Sequence, residues 1–261
     1  MQQPPRHSVP APQGGAQPPG GGPAPSATTA LEIKGLQAWY GESHILHGVD
    51  IDVKKGEVVT LLGRNGAGRT TTMRAIMGLV GARKGSIKVH GTETIGMRTH
   101  RIAHIGLGYC PEERGIFSSL SCEENLMLPP RLKGKGPGMS VEEIYEMFPN
   151  LAERRNSQGT RLSGGEQQML AVGRILRTGA DILLLDEISE GLAPVIVQAL
   201  ARMIRMLKAK GYTVVMVEQN FRFAAPLADR LYVMEHGTIV ESFGASQLQQ
   251  KLPVLQELLG V

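Results

Sequence analysis

With 261 residues, 41% of them hydrophobic, the chain is long enough to bury one substantial core, or a core with a subdomain. The net charge of +4 is spread along the chain and aromatics make up only 4%, which argues against a nucleic-acid stacking surface and predicts no nucleic-acid partner. Two cysteines, Cys110 and Cys122, make no disulfide framework. No run reaches the roughly 18 apolar residues of a spanning helix, and the N-terminus lacks a secretory pattern, so the sequence predicts a soluble protein.

Residues 1–29 hold eight of the sixteen prolines and five glycines, with Arg6 the only fully charged side chain, and read as a disordered tail. The remainder, 30–261, reads as one domain. Ile33, Leu36, Ile45, Leu46, Val49, Ile51 and Val53 predict a β-rich opening. A short apolar strand over 58–62 runs into a glycine-rich loop, and the helix after it should carry Met73, Ile76, Met77 and Leu79 toward the core. A strand over 86–89, a short helix over 98–104 and a strand over 107–110 follow. From about 115 to 178 the pattern becomes helical. Ser121 with Glu124 and Ser140 with Glu143 fit capping boxes, which predicts a helical subdomain inserted into the sheet domain. Strand and helix then alternate: strand 182–186, helix 195–209, strand 213–217, helix 221–227, a hairpin around Glu235-His236-Gly237, and an amphipathic helix over 248–259.

Three blocks carry phosphate chemistry. Gly63-Arg64-Asn65-Gly66-Ala67-Gly68-Arg69-Thr70-Thr71 sits between a strand and a helix, the context a phosphate-cradling loop requires. Its glycines let backbone amides approach phosphates, and the Thr70 hydroxyl can serve magnesium. Ser163-Gly164-Gly165-Glu166-Gln167 opens a helix over 166–177, where exposed N–H groups favour an anion, although an ordinary cap by Ser163 gives the same pattern. Ile182-Leu183-Leu184-Leu185-Asp186-Glu187 is a buried strand ending in two carboxylates. Successive side chains on a strand point to opposite faces, so the two cannot do one job. The seven histidines, His100 and His104 included, supply no metal-ligand set.

In this order, these blocks resemble an ATP-binding cassette (ABC) ATPase from about Leu31 onward. The resemblance implies an α/β fold: a P-loop nucleotide-binding core with an antiparallel β-subdomain and a helical insertion. It implies ATP and Mg2+ as ligands. The 63–71 loop would hold the phosphates, and Thr70, Glu112 and Asp186 the metal. Glu187 would polarise the attacking water, with Gln219 beside the γ-phosphate. Ser163, Gly164, Gly165 and Glu166 would contact ATP held by a second subunit. Tyr40 would stack on adenine, leaving its neighbour Trp39 in the core.

Gly191-Leu192-Ala193-Pro194, Val217-Glu218-Gln219-Asn220 and Pro111-Glu112 resemble the second ATPase subunit of branched-chain amino-acid importers. That implies a second ATPase subunit, identical or different, transmembrane permease subunits, and indirectly a periplasmic solute-binding protein. The expected location is the cytoplasmic face of a bacterial inner membrane. Arg69 where lysine is usual, and Ile188 where proline is usual, are not explained by the subfamily. A non-hydrolysing half of a mixed dimer therefore stays open, as does a urea or amide solute.

Overall fold

The computed structural model describes residues 28–260, so all but the last two residues of the predicted tail lie outside it. Thr29 already pairs with Lys54, which starts the order slightly ahead of Leu31.

In chain order the elements are β1 (Thr29–Tyr40), β2 (Ser43–Lys54), β3 (Val58–Leu62), α1 (Arg69–Ile76), β4 (Ala82–Val89), β5 (Thr92–Glu93), α2 (Thr99–His104), β6 (Leu107–Cys110), α3 (Cys122–Met127), α4 (Val141–Met147), α5 (Pro149–Glu153), α6 (Gly164–Leu176), β7 (Ile182–Asp186), α7 (Pro194–Ala209), β8 (Thr213–Glu218), α8 (Phe221–Ala224), β9 (Arg230–Glu235), β10 (Thr238–Gly244) and α9 (Leu248–Leu259). They form two sheets. A six-stranded sheet has the order β10-β9-β3-β8-β7-β6, parallel except for β10. A four-stranded antiparallel sheet has the order β2-β1-β4-β5. This is the α/β architecture expected.

β3, β7 and β8 are buried at every residue, as strands covered on both faces must be. Alternate residues serve two cores. Leu183 and Leu185 pack with the helices α3, α4, α6 and α7. Ile182 and Leu184 pack with α1 and the antiparallel sheet. Between β6 and β7 lie α3 to α6. α6 rests on β6, and α3 and α5 rest on α6. Close approach there requires Gly173, where a Cβ would meet Ile144 and Leu126 at 3.0 and 3.1 Å. Capping boxes close the starts of α3 and α4, and a third, Ser163 with Glu166, closes α6.

Three expectations change. Leu79 is 48% exposed, because α1 ends at Ile76 and the chain has turned before Leu79. Trp39 is half-buried rather than in the core, stacked on His44 at 4.3 Å with Lys84 Nζ 5.6 Å from its ring centre. The helix over 221–227 is only the four residues of α8, opened by Asn220 accepting from the Phe223 N–H.

Leu183 is fully buried between the sheet and the helical layer. Leu183→Ala should cost about 2–5 kcal/mol. A urea melt whose midpoint stays at the parent value would show that this layer does not depend on β7.

Candidate functional site

Parallel strands end at one edge of a sheet, and here β3, β7 and β8 deliver their following residues to the same place. Gly63 leaves β3 with its Cα against backbone: a Cβ there would lie 2.5 Å from the Met234 carbonyl. The loop closes at Gly68, φ 107°, which caps α1. Asn65, Gly66, Ala67, Gly68, Arg69, Thr70 and Thr71 then line a cleft of about 450 Å3 together with Tyr40, Ile45, Glu112, Glu187 and Glu190. Gly63 and Arg64 do not line it. The Arg64 guanidinium turns instead to the end of α9.

Both strand-end carboxylates reach the loop. Asp186 ends β7, fully buried, and accepts from the Thr70 hydroxyl and from the Tyr109 hydroxyl, each at 3.0 Å. Burial pushes its carboxyl up from the usual range, and the two hydroxyls pull it back. Glu187 stands just beyond the strand with φ 49°, its N–H held by the Val217 carbonyl at 2.9 Å. This left-handed turn, costly for a residue with a Cβ, replaces the next pleat. The opposite-faces expectation therefore fails: Asp186 contacts Thr70, and Glu187 pairs with Arg69, the neighbouring residue.

The Arg69–Glu187 pair measures 2.7 Å, with side chains 4% and 10% exposed. Arg69 Nη2 also donates to Asn65 Oδ1 at 3.2 Å, while Nη1 is buried without a partner. Carboxylate oxygens of Glu112, Glu187 and Glu190 all lie within 4.8 Å of one another. Burial, and then a hydrogen bond with Glu190, push the Glu187 carboxyl up to about 8 against the pull of Arg69. Glu218, at the end of β8, accepts from the Ser189 hydroxyl at 2.7 Å, and burial pushes it up to about 7.

The predicted residues thus fall into three groups. The loop, Tyr40, Glu112 and Glu187 share the cleft, and Asp186 touches it through Thr70. Gln219 lines an adjoining cavity of about 330 Å3 with Glu187, Ser189, Glu190 and Glu218. Ser163, Gly164, Gly165 and Glu166 line neither. Their capping box uses the Ser163 hydroxyl and the Glu166 carboxylate internally, and Glu166 lies 3.7 Å from Arg154. Glu190, Glu218 and Tyr109 were not singled out as site residues from sequence. Glu190 carried a signal, since a turn after Glu187 brings positions three apart together. Tyr109 carried none, because its contact requires β6 beside β7.

The ABC transporter family profile matches residues 46–190. The chain belongs to the ABC transporter family. It is 43% identical over 211 residues to the high-affinity branched-chain amino acid transport ATP-binding protein BraG of Pseudomonas aeruginosa, covering 80% of this chain and 91% of that protein. It is 31% identical over 215 residues to the probable branched-chain amino acid transport ATP-binding protein LivF of Archaeoglobus fulgidus, covering 82% and 91%. A nucleotide-free ATP-binding cassette from an ABC transporter superposes with a TM-score of 0.76 at 23% identity, covering 89% and 99%, and shares the fold. This ABC protein is an ATPase that couples ATP hydrolysis to transport. Among the described residues no helix is long and apolar enough to cross a membrane.

Glu187 keeps its proton up to about pH 8 when folded and only to its ordinary 4.5 when unfolded. The fold therefore takes up a proton between these values. The stabilisation is complete below pH 4.5 and is lost as pH rises through 8, and Glu218 acts in the same direction up to about 7. Nucleotide-free protein should melt at falling temperature from pH 5 to 8.5, with a shallower fall in Glu187→Gln. Equal slopes in the two proteins would remove Glu187 from this titration.

Proposed function

We propose that this ATPase powers the import of branched-chain amino acids or related small solutes, working as one of two nucleotide-binding subunits beneath membrane permease subunits. The similarity to BraG over nine-tenths of that protein carries the substrate class. The partners would be a second ATPase subunit, the permeases and, indirectly, a periplasmic solute-binding protein, with this chain on the cytoplasmic face of a bacterial inner membrane. Residues 1–29 would be a tail and about 115–178 a helical subdomain within the 30–261 domain.

The residues suit a magnesium nucleotide. Thr70, Asp186 and Glu112 offer the hard oxygen donors that Mg2+ prefers, and the unpartnered Nη1 of Arg69 leaves a cationic donor for an anion. Bound magnesium would neutralise charge on the phosphates. Backbone amides of the 63–71 loop would receive the phosphates, and Tyr40, 39% exposed at the cleft, would offer its ring to adenine. Arg69 would pass from Glu187 to phosphate oxygens, and Glu187, once it gives up the proton that burial retains on it in the nucleotide-free protein, would as a carboxylate take a proton from water. That water's oxygen attacks the γ-phosphorus as the bond to the β-phosphate bridging oxygen breaks, giving ADP and phosphate. Gln219, in the cavity beside Glu187, can donate an N–H to the γ-phosphate. The 163–166 segment lies away from its own chain's cleft, which supports a role toward ATP on a second subunit.

A groove of about 630 Å3 between the helical layer and the sheet suits a permease segment. It combines Arg74, Arg114 and Arg174 with Leu79, Pro111, Pro129 and Ile175, so an amphipathic segment with an acidic residue fits it. Leucine uptake by cells carrying the whole transporter tests the substrate class: uptake unchanged on Glu187→Gln would reject it.

Arg69→Lys should change turnover of the assembled transporter less than about tenfold, roughly 1.4 kcal/mol, whereas Arg69→Ala should nearly abolish it. A rise far beyond tenfold in the lysine variant would make the natural arginine a brake and favour the non-hydrolysing reading. Glu187→Gln should accumulate an ATP-dependent dimer on size-exclusion chromatography. No gain of dimer over the parent counts against its role as base.

A further inference from the structure

Arg64 is the second residue of the phosphate loop, yet its side chain serves a helix almost two hundred residues away. Its Nε donates to the Leu258 carbonyl and its Nη2 to the Glu257 carbonyl, both at 2.9 Å. These carbonyls belong to the last turn of α9, where no further helical N–H follows to meet them. The Gln256 carbonyl is taken by the Gly260 N–H, with Gly260 at φ 71° ending the helix. The fork of one guanidinium thus satisfies two open acceptors and sets a cation against the negative end of a twelve-residue helix.

α9 is itself anchored. Leu255 is buried, and Leu248, Leu258 and Leu259 pack on the same core as β3, β7 and β8. Its flank, through Leu252, Leu255 and Gln256, faces Gln219 and Asn220 across a cavity of about 470 Å3. One helix therefore contacts the loop that follows β3 and borders a cavity with the turn that follows β8. The Arg64 backbone also shapes the loop directly, its carbonyl accepting from the Ala67 N–H at 3.1 Å.

We propose that Arg64 is a positioning residue: by clasping the end of α9 it holds the backbone of the phosphate loop in its receiving shape, so that α9 sets the affinity for ATP. This rests on the reading above that the loop receives the phosphates of ATP. Arg64 is exposed, so its replacement leaves the core intact.

Binding of Mg-ATP to the full chain, followed by titration calorimetry, decides the matter. Arg64→Ala should raise Kd about tenfold, or roughly 1.4 kcal/mol, with an unchanged melting temperature, and Arg64→Lys should recover part of the loss. A chain ending at Gln256 keeps Arg64 but loses both acceptors. It should show the same rise in Kd, and adding Arg64→Ala to it should cost nothing more. An unchanged Kd in Arg64→Ala overturns the proposal. So does a chain ending at Gln256 that binds as tightly as the parent while Arg64→Ala binds weakly, since Arg64 would then touch the nucleotide itself. A parent that binds no ATP sinks both this proposal and the reading it rests on.

Discussion

The parallel pairing of β3 with β8 and of β8 with β7 is the constraint on which the site depends. The register runs Val58 to Val214 and Ile182 to Thr213, so the three strands end within a residue or two of one another at one edge. The glycine-rich loop meets the acidic pair and the Gln219 turn there although it lies more than a hundred residues before either in sequence. Open parallel sheets gather ligands at this edge because helices cover both faces and only the strand ends remain free. The fully buried strands make the register hard to change, since a shift of one residue would exchange the side chains of the two cores.

Charge balance decides what happens at that edge. One nearly buried guanidinium, Arg69, faces three glutamates whose oxygens lie within 4.8 Å of one another. Glu112 and Glu190 are exposed and Glu187 is half-buried, and burial together with the hydrogen bond to Glu190 keeps a proton on Glu187. Arg69 offsets part of the repulsion and is held by Glu187 and Asn65 in turn. Both contacts come from Nη2, so lysine at this position would be a compact point charge without the second, unpartnered nitrogen Nη1. On the proposed reading, an incoming triphosphate would bring negative charge against the same guanidinium and compete with Glu187 for it, which would link binding to release of the base through one side chain.

The helical layer follows a different logic. α3, α4 and α5 are short, five to seven residues each, and would not persist alone. Capping boxes hold the starts of α3 and α4, Pro149 opens α5, and the layer packs on α6, which rests on the sheet. The α6 box spends the Ser163 hydroxyl and the Glu166 carboxylate within the helix start. The free N–H groups of that first turn are then those of Gly164 and its neighbours, where the absence of side chains leaves them open to an anion.

Sequence alone determined what depends on neighbours along the chain. The strand–loop–helix around 63–71, the capping residues Ser121, Ser140 and Ser163, and the buried run 182–186 were legible because backbone conformation and burial there follow from local residue type and period. Tertiary structure decided which way the chemical groups point. Glu187 abandons the pleat because its N–H is taken by Val217 on the next strand. Arg64 leaves the phosphate loop because two open carbonyls of α9 are within reach, and Tyr109 meets Asp186 only because β6 lies beside β7. Leu79 lost its expected core position when α1 stopped at Ile76. Local sequence sets propensity and period, whereas the direction of a polar side chain is set by the partner that compensates its lost water, and that partner is supplied by the fold.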